Sequence, residues 1–445
     1  MKKFTSFSLL ALATSVATIG FVHAASAAVQ EETAFILNSL SFLMHGFLVM
    51  WMAAGFAMLE TGLVRTKNAA MQCTKNIALY SIAGLMFWAI GYNLMYSGVD
   101  GGYFGTLAPW SATDAQVTAD GFVYNADDVG YSASSDWFFQ MVFVAAAASI
   151  VSGALAERIK LLPFLIFVVV LTGVLYPIQG SWSWGGGWLK ELGFLDFAGS
   201  TIVHSVGGWA ALTGAIIVGA RRGKFNKDGT VNPMPGSNLA IATLGTFILW
   251  LGWFGFNGGS QLAMGSAADV VAIAAIYVNT NLAAAAGVVV AIVLTSIMYK
   301  KVDLTMALNG ALGGLVSITA EPLLPSPGMA VFVGAVGGLL VVFSVPVLDK
   351  LKIDDVVGAI PVHLVCGIWG TIAVVLTNGD ASIVNQLIAI VSIGAFIVVT
   401  SAIVWFVLKT VMGLRPSEED EVLGLDRAEC GLEAYPEFGR GSQTI

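Results

Sequence analysis

Residues 196–210 read DFAGSTIVHSVGGWA, and residues 355–370 read DVVGAIPVHLVCGIWG. Each stretch begins with an aspartate and carries a histidine eight residues later, His204 in the first and His363 in the second. Both histidines lie in the pattern Val-His-x-Val-x-Gly, with no charged residue between aspartate and histidine. An ionisable group in an apolar stretch is costly and usually marks a functional pathway. Two of them in matching contexts predict one site built from a duplicated element.

The composition predicts an integral membrane protein. The chain has 445 residues, of which 57% are hydrophobic and only 11% charged, and its mean hydropathy is +0.83. Soluble domains carry about 25% charged residues. The net charge of −8 comes largely from loops and the tail and does not indicate a nucleic-acid partner. Cys73, Cys366 and Cys430 do not form a disulfide framework, because two lie in or beside apolar runs and one in the tail.

The first 27 residues read as a separate unit. Two lysines precede a mostly apolar run at residues 7–22, and Ala-Ser-Ala follows at residues 25–27. This pattern predicts a cleaved signal peptide over residues 1–27, which would place the mature N-terminus outside the cytoplasm. The alternative is an extra helix that is retained.

Apolar runs of near-membrane length predict an all-α polytopic membrane protein. There are eleven such runs, at residues 35–63, 77–95, 137–155, 161–178, 200–220, 238–256, 270–299, 304–319, 329–347, 356–376 and 383–408. They fall within a predicted transmembrane domain at 28–410, which a cytoplasmic tail at 411–445 follows.

The basic residues indicate the orientation of these runs. Alternate loops collect nearly all lysines and arginines: Arg65, Lys67, Lys75, Arg158, Lys160, Arg221, Arg222, Lys224, Lys227, Lys300, Lys301, Lys350, Lys352, Lys409 and Arg415. The other loops hold only Lys190. Because basic residues concentrate in cytoplasmic loops, the bias predicts eleven spans with the N-terminus outside and the C-terminus inside.

Eleven spans divide into two five-helix units and a final helix. Since five is odd, the second unit enters the membrane inverted relative to the first. His204 then lies on the fifth span and His363 on the tenth. Eight residues at about 1.5 Å each place each histidine about 12 Å from its own surface. In a hydrocarbon core of about 30 Å, both histidines therefore lie near the midplane.

Two neighbouring imidazoles could line a narrow pore. Burial favours the neutral ring, which has one donor and one acceptor nitrogen, so that two rings can share a proton. Such a pair suits a small polar solute and proton transfer better than a bare metal cation. One alternative is that both histidines are core residues bonded to backbone carbonyls. Another is haem ligation, for which His45 is the only other histidine of the mature chain.

Three tryptophans follow the fourth run, at Trp182, Trp184 and Trp188, beside three glycines at 185–187. A tryptophan face at a pore mouth attracts a cation. An interfacial aromatic belt is the ordinary alternative for tryptophans in this position.

Several segments together resemble the ammonium transporter (Amt/Mep/Rh) family. They are DFAGSTIVH at 196–204, ETGLVRTKN at 60–68, VSGALAERIK at 151–160, WLGWFGFNGGS at 250–260, VHLVCGIWG at 362–370 and EAYPEF at 433–438. The resemblance runs in order from about residue 35 to 438. It implies a homotrimer in the cytoplasmic membrane with one ammonium pore in each subunit, a transporter rather than an enzyme, and no cofactor.

The resemblance also implies roles for residues of the pore. Trp184, Phe139 and Ser260 fall on the positions of an outer recruitment site for ammonium. Phe143 and Phe256 fall on two stacked phenyl rings that block the pore below it. His204 and His363 would form the pair beneath, and Asp196 the buried carboxylate that supports the site.

Four acidic residues and one histidine also have structural interpretations. Asp196 and Asp355 each precede a span and could cap it, and for Asp196 we expect a cap combined with a nearby negative charge. Glu60 and Glu157 lie close in sequence to Arg65 and Arg158, which favours ion pairs or helix-end hydrogen bonds. We expect His45 to be structural as well.

The chain also departs from the family pattern. Gly358 stands where some relatives carry an acidic residue, and Cys430 stands where many carry histidine. The tail keeps Gly424-Leu425-Asp426 and Tyr435, which is consistent with coupling between subunits and with docking of a PII-type signalling protein. The leading functional expectation is ammonium uptake, and the alternative is an ammonium sensor that signals through the tail with little flux.

Overall fold

The structure, a computed structural model, describes residues 4–112, 116–118, 121–123 and 130–436, with side chains described outside residues 1–30 and 113–129. Within these residues, nine apolar helices are long enough to cross a membrane and two more are shorter. In chain order these helices are α1 Glu31–Leu63, α2 Thr66–Tyr96, α3 Ala133–Ala154, α4 Leu161–Ser181, α5 Ser200–Val218, α6 Leu239–Gly259, α7 Ala267–Tyr299, α8 Leu304–Ile318, α9 Pro327–Lys350, α10 Ile360–Leu376 and α11 Ile383–Val411. The two shorter ones are α8 and α10.

The eleven predicted runs coincide with these helices to within a few residues at most ends. The main difference is α2, which begins at Thr66 whereas the predicted run begins at residue 77. Its first turns carry Gln72 and Lys75, both fully buried in the protein, so hydropathy alone does not mark them as part of a span. Helix α1 continues a helix that begins at Phe4. The signal-peptide prediction falls on residues whose side chains lie outside the described part of the chain, and it stays a prediction.

Helices make up nearly all of the regular structure, as predicted. In the part of the chain that the structure describes, a small antiparallel hairpin lies between α2 and α3, formed by β1 Gln116–Thr118 and β2 Gly121–Val123. A short helix, Trp188–Leu192, lies between α4 and α5. Two short helices, α12 Glu418–Leu423 and α13 Leu425–Cys430, form the described part of the tail.

Close packing of α7, α8 and α9 depends on small residues. A Cβ atom on Gly287 of α7 would lie 2.1 Å from the carbonyl oxygen of Gly310 in α8. A Cβ on Gly338 of α9 would lie 2.4 Å from the carbonyl oxygen of Gly287. Apolar helices gain little by excluding water inside a bilayer, so their association relies on such close backbone contact.

A buried ion pair and buried hydrogen bonds join the loops on the side of the molecule where the C-terminal tail packs. Arg221, just after α5, donates from Nε and Nη2 to the two carboxylate oxygens of Asp354, just before α10, both at 2.9 Å. Arg158, just after α3, donates to the carbonyl oxygens of Gly219 and Asp354. Burial alone would raise the pKa of Asp354, but the Arg221 hydrogen bond and the charges of Arg158 and Arg221 hold it well below its usual range. These contacts fix the ends of α3, α5 and α10 relative to one another.

The tail packs against the start of α2. The Asp426 carboxylate accepts hydrogen bonds from the backbone N–H groups of Ala70 and Met71, at 3.0 and 2.8 Å. The backbone N–H of Leu425 donates to Oδ1 of Asn68 at 2.9 Å. Thus two residues of the predicted Gly-Leu-Asp motif attach the tail to the helical domain.

Candidate functional site

Asp196 organises the start of α5. Its carboxylate accepts four backbone hydrogen bonds of 2.8–3.0 Å, from the N–H groups of Gly199, Ser200, Thr201 and Ile202. The first N–H groups of a helix have no partner within the helix, and a negative charge is favourable there. Burial raises the pKa of Asp196 to about 6, against the lowering effect of these hydrogen bonds. Asp196 therefore caps the start of α5, which is one of the roles expected from its position just before this span.

The start of α10 repeats this arrangement. The Asp355 carboxylate accepts hydrogen bonds from the N–H groups of Gly358 and Ile360, at 3.1 and 2.7 Å. Both helices then open with π-type turns, Ser200–Ser205 and Ile360–Val365, and each turn contains the histidine. Such turns are rare and are found mostly at functional sites. Hydrophobic periodicity carries no signal for them.

The two π-type turns bring His204 and His363 together. Their Nδ1 atoms are 3.2 Å apart, their ring centroids 5.2 Å apart and their planes inclined by 26°. Both side chains are buried. For two neutral rings, one Nδ1 donates and the other accepts, so one Nε2 carries a proton and the other a free lone pair. The rings are also too close for a porphyrin to fit between them.

The histidines differ from core residues bonded to backbone carbonyls. Within the described residues, Nε2 of His204 has no hydrogen-bond partner. A buried polar atom without a partner is costly and calls for an explanation. A polar solute passing the ring would supply the missing partner.

The glycine of each Val-His-x-Val-x-Gly motif packs on the opposite histidine turn. A Cβ on Gly208 would lie 2.7 Å from the backbone nitrogen of Leu364. A Cβ on Gly367 would lie 2.4 Å from Oγ of Ser205 and from the carbonyl oxygen of Ser200. Leu364 and Ser205 each follow their histidine directly. The repeated motif therefore sets a reciprocal close approach of α5 and α10.

Aromatic rings continue from the histidine pair. The Phe143 and Phe256 centroids are 4.1 Å apart with planes tilted by 37°, and Phe256 stacks on His204 at 5.1 Å. Trp253 also stacks on His204, with ring centroids 4.9 Å apart. The sequence interpretation missed Trp253, although its three-residue spacing from Phe256 places both on one face of a helix.

A cavity of about 640 Å³ lies at the Phe143 end of this series of rings. Its lining includes all three predicted recruitment residues, Phe139, Trp184 and Ser260. The Trp184 indole donates to the backbone carbonyl of Asp196 at 3.0 Å, which fixes the ring. We call this space the large cavity.

Ser260 presents an acceptor to the large cavity. Its Oγ donates to the backbone carbonyl of Phe256 at 2.8 Å. A hydroxyl has one donor hydrogen and two lone pairs. Because the hydrogen is engaged, Oγ is left to accept a hydrogen bond from a solute.

Sequence interpretation missed two acidic residues of the large cavity, Asp136 and Glu321. Tyr92 donates to Asp136 at 2.5 Å, and Asn378 donates to Glu321 at 3.0 Å. Each lies next to an apolar run in the sequence, and a single acidic residue in that position is ordinarily interpreted as part of a helix end. Together they make the cavity favourable for cations.

A second, much smaller cavity lies at the His363 end of the rings. Its lining includes His363, Phe56, Ser149, Asn309, Gly358 and Glu60. His204 stacks between Phe256 and His363, so the histidine pair separates this small cavity from the large one.

For Glu60 and Glu157 the sequence predicts ion pairs or helix-end hydrogen bonds, and only Glu157 forms an ion pair among the described residues. Glu157 is bound by Arg65 and lies 3.6 Å from Arg221. Glu60 has no ion pair among the described residues; its Oε2 accepts a hydrogen bond from Ser152 at 2.7 Å. The sequence separation from Arg65 is short, but the helix directs Glu60 into the protein. His45 is structural, as predicted: its ring contacts Ser41 and the Tyr277 hydroxyl.

Comparisons with known proteins show the family to which the chain is similar. The model of the ammonium transporter family matches residues 40–435. The ammonium transporter Amt2 of Archaeoglobus fulgidus is 39% identical, over 95% of this chain and 93% of its own. The ammonium transporter of Bacillus subtilis is 34% identical, over 88% of this chain and 97% of its own.

Solved structures share the fold. A structure described as a sensor Amt protein superposes with a TM-score of 0.82 at 35% identity, covering 90% of this chain and 99% of its own. The crystal structure of Candida albicans Mep2 gives a TM-score of 0.75 at 25% identity, covering 94% of each chain. With its multi-pass helical architecture and a family match over most of its length, the chain belongs to the ammonium transporter family.

Proposed function

We propose that this protein transports ammonium across the cytoplasmic membrane through a phenyl-gated pore that contains the histidine pair. The observation that carries the proposal is the series of ring contacts from the large cavity to the small one. Phe143 contacts Trp184 and Phe256, Phe256 stacks on His204, and His204 contacts His363. The large cavity faces outside and recruits the substrate, and the small cavity faces the cytoplasm.

Recruitment uses hydrogen bonding as well as charge. Ammonium and potassium have similar sizes, so a filter based on size separates them poorly. Ammonium donates hydrogen bonds to the free lone pairs of Ser260, and the faces of Trp184 and Phe139 attract a cation. Potassium cannot donate a hydrogen bond, and it has no proton to lose at the next step.

Below the large cavity, the charged form becomes costly. Phe143 and Phe256 are fully buried and offer no hydrogen-bond acceptor, and an unpaired charge in such surroundings is strongly unfavourable. Ammonium therefore gives up its proton near these rings, and neutral ammonia passes the histidines. The proton follows a route through the imidazoles, whose Nε2 atoms accept and donate in turn.

We also propose a membrane topology for the chain and an assembly of its subunits. Two inverted units, α1–α5 and α6–α10, are followed by α11, with the N-terminus outside and the C-terminus in the cytoplasm. The matching caps and π-type turns of α5 and α10 support this inversion. A signal peptide at residues 1–27 would be removed, leaving a transmembrane domain at 28–410 and a regulatory tail at 411–445. The subunits form a homotrimer, and a PII-type protein docks on the cytoplasmic face, where the tail lies.

Stopped-flow measurement on proteoliposomes with an internal pH dye tests the transport function. An inward ammonium gradient should change the internal pH faster in liposomes with protein than in empty ones, and Trp184→Leu should slow the change at low ammonium concentration. Equal rates with and without protein, combined with ammonium binding to purified protein, would contradict transport and favour the sensor.

A further inference from the structure

The small cavity holds a carboxylate that the proposed pathway has not used. Glu60 lies in the last turn of α1 and is only 1% exposed. It lines the same cavity as His363, and it is the only acidic residue in that lining among the described residues. Gly358, which also lines the cavity, supplies no side chain there.

One oxygen of Glu60 is free to interact with a solute. Oε2 accepts the Ser152 hydroxyl at 2.7 Å, whereas Oε1 has no hydrogen-bond partner among the described residues. Asn76 lies beside the carboxyl group and interacts with it, while its amide nitrogen donates to the carbonyl oxygen of Gln72 at 3.0 Å. A buried carboxylate oxygen without a partner is costly in a purely structural role.

The other polar side chains of the small cavity are already engaged. The Asn309 amide donates to the carbonyl oxygen of Val357 at 3.0 Å. The Ser149 hydroxyl donates to the carbonyl oxygen of Ala145 at 3.1 Å. Neither group can bind and release a proton near neutral pH, so the titratable groups of this lining are His363 and Glu60.

A buried lysine balances the charge of Glu60. Lys75 is fully buried, donates to the carbonyl oxygen of Ser152 at 2.8 Å and lies 5.0 Å from the Phe164 ring centroid. Ser152 thus connects the two charged groups, through its hydroxyl to Glu60 and through its carbonyl to Lys75. A lone carboxylate would hold ammonium tightly at the exit, whereas conduction needs weak binding. The nearby Lys75 acts on Glu60 through its charge, without a direct ion pair among the described residues, and keeps the local net charge near zero.

We propose that Glu60 is the inner proton-exchange group of this pathway, an inference that rests on the proposed function. At rest His363 is neutral, and it takes up, by way of His204, the proton that ammonium released near the phenyl rings. An N–H bond of this protonated His363 breaks and an O–H bond forms on the Glu60 carboxylate, which leaves neutral histidine and a carboxylic acid. Then that O–H bond breaks and an N–H bond forms on arriving ammonia, which leaves the carboxylate and ammonium. Both residues return to their starting states, and one ammonium ion enters the cytoplasm.

Ammonium-evoked current in proteoliposomes tests the role through three variants. Glu60→Gln keeps the shape and the Ser152 hydrogen bond but cannot exchange a proton. We expect its current to fall about tenfold or more, because proton transfer by a positioned group contributes at least this much. The matched control is Glu429→Gln in α13, which removes a carboxylate that bonds the backbone N–H of Leu161 outside the small cavity. A current equal to that of the control would overturn the proposal.

The double variant Glu60→Gln/Lys75→Met separates proton exchange from charge balance. It leaves no unpaired buried charge, so it also guards against misfolding of the single variant. We expect its current to stay as low as that of Glu60→Gln. Recovery to the wild-type current would mean that Glu60 only compensates Lys75, and the proposal would be wrong.

Infrared difference spectra provide a readout that does not depend on transport. Adding ammonium chloride instead of potassium chloride should change a carboxyl band in the wild-type protein, and Glu60→Gln should lack this change. If the wild-type protein carries no current, the proposed transport fails, while the band still decides whether Glu60 responds to ammonium. Identical spectra for the wild type and Glu60→Gln would overturn the role of Glu60.

Discussion

Ser260 and Trp184 show how single side chains favour ammonium in the large cavity. The Ser260 hydroxyl donates its hydrogen bond to the helix backbone, and the Trp184 indole N–H donates to the backbone carbonyl of Asp196. Both residues therefore face the cavity as acceptors, through lone pairs and a π face. Ammonium donates a directional hydrogen bond to the Ser260 lone pair and binds the π face, whereas potassium has no hydrogen to donate and meets both only as a point charge.

Removing the Ser260 hydroxyl should weaken ammonium recruitment. For Ser260→Ala we expect the half-saturating ammonium concentration to rise about fivefold, which corresponds to the loss of one hydrogen bond of about 1 kcal/mol. Calorimetric titration of the purified protein with ammonium measures this half-saturating concentration. Ser382→Ala is the control, since Ser382 precedes α11 and makes no side-chain cap hydrogen bond. An unchanged affinity in Ser260→Ala would remove Ser260 from the recruitment site.

Asp196 predicts a pH dependence of ammonium binding. Its pKa of about 6 lies above the ordinary aspartate value, so the carboxylate is charged above about pH 7 and loses its charge as the pH falls through about 6. Ammonium itself stays protonated over this range. We expect the affinity for ammonium to be constant above about pH 7 and to fall severalfold by about pH 5. Constant calorimetric affinity across this range would contradict a contribution from the Asp196 charge.

Sequence patterns predict some of the residues that line the cavities and not others. His204, His363 and Asp196 stand out because polar residues are rare in apolar runs and because the two stretches match. Glu60 does not stand out, since a glutamate near the end of a span and close to Arg65 reads as an ion pair. Only the direction of its side chain, which depends on tertiary packing, places it at the small cavity.

Helices α5 and α10 form the element that holds the two rings in contact. Each begins with an aspartate cap, continues through a π-type turn and reaches a glycine that packs on the partner turn. The positions of both helices follow from hydropathy. The π-type turns do not, because they are set by the cap and by the facing helix rather than by local propensity.

An added methyl group at this crossing should separate the histidines. Gly208→Ala places a Cβ 2.7 Å from the backbone of Leu364, which cannot move aside as a side chain can. We expect a loss of about 1–3 kcal/mol in stability from overpacking, together with a lower ammonium current. Thermal unfolding and current recording measure the two effects.

Gly328→Ala in α9 is the matched control for that change. A Cβ at Gly328 would meet no atom within 4 Å, so stability and current should be preserved. Equal behaviour of Gly208→Ala and Gly328→Ala would show that close approach at Gly208 is not needed.

Across the whole molecule, the contacts made by the C-terminal tail connect it to the pore helices. Asp426 binds the start of α2, and Arg415 binds the Glu421 carboxylate while donating to the carbonyl oxygens of Val218 and Ala220. Movement of the tail is thereby linked to the ends of α2 and α5. The sequence motif predicts that the tail matters, but the residues to which it attaches become evident only from the fold.

Loss of the Asp426 carboxylate should release the tail. Asp426→Ala removes the acceptor for two backbone N–H groups, which typically costs about 1–2 kcal/mol. Hydrogen–deuterium exchange over residues 418–430 should become faster, whereas Glu419→Ala on the exposed side of α12 should leave it unchanged. Protection that persists in Asp426→Ala would contradict this attachment.

In the proposed function, the histidine pair carries ammonium-selective transport. The most direct measurement compares currents evoked by ammonium and by potassium in proteoliposomes containing the wild-type protein, His204→Ala or His363→Ala. We expect a saturable ammonium current without a potassium current in the wild type, and a loss of the ammonium current or of its selectivity in both variants. An undiminished and ammonium-selective current in either variant would show that the histidine pair is not needed for selective transport.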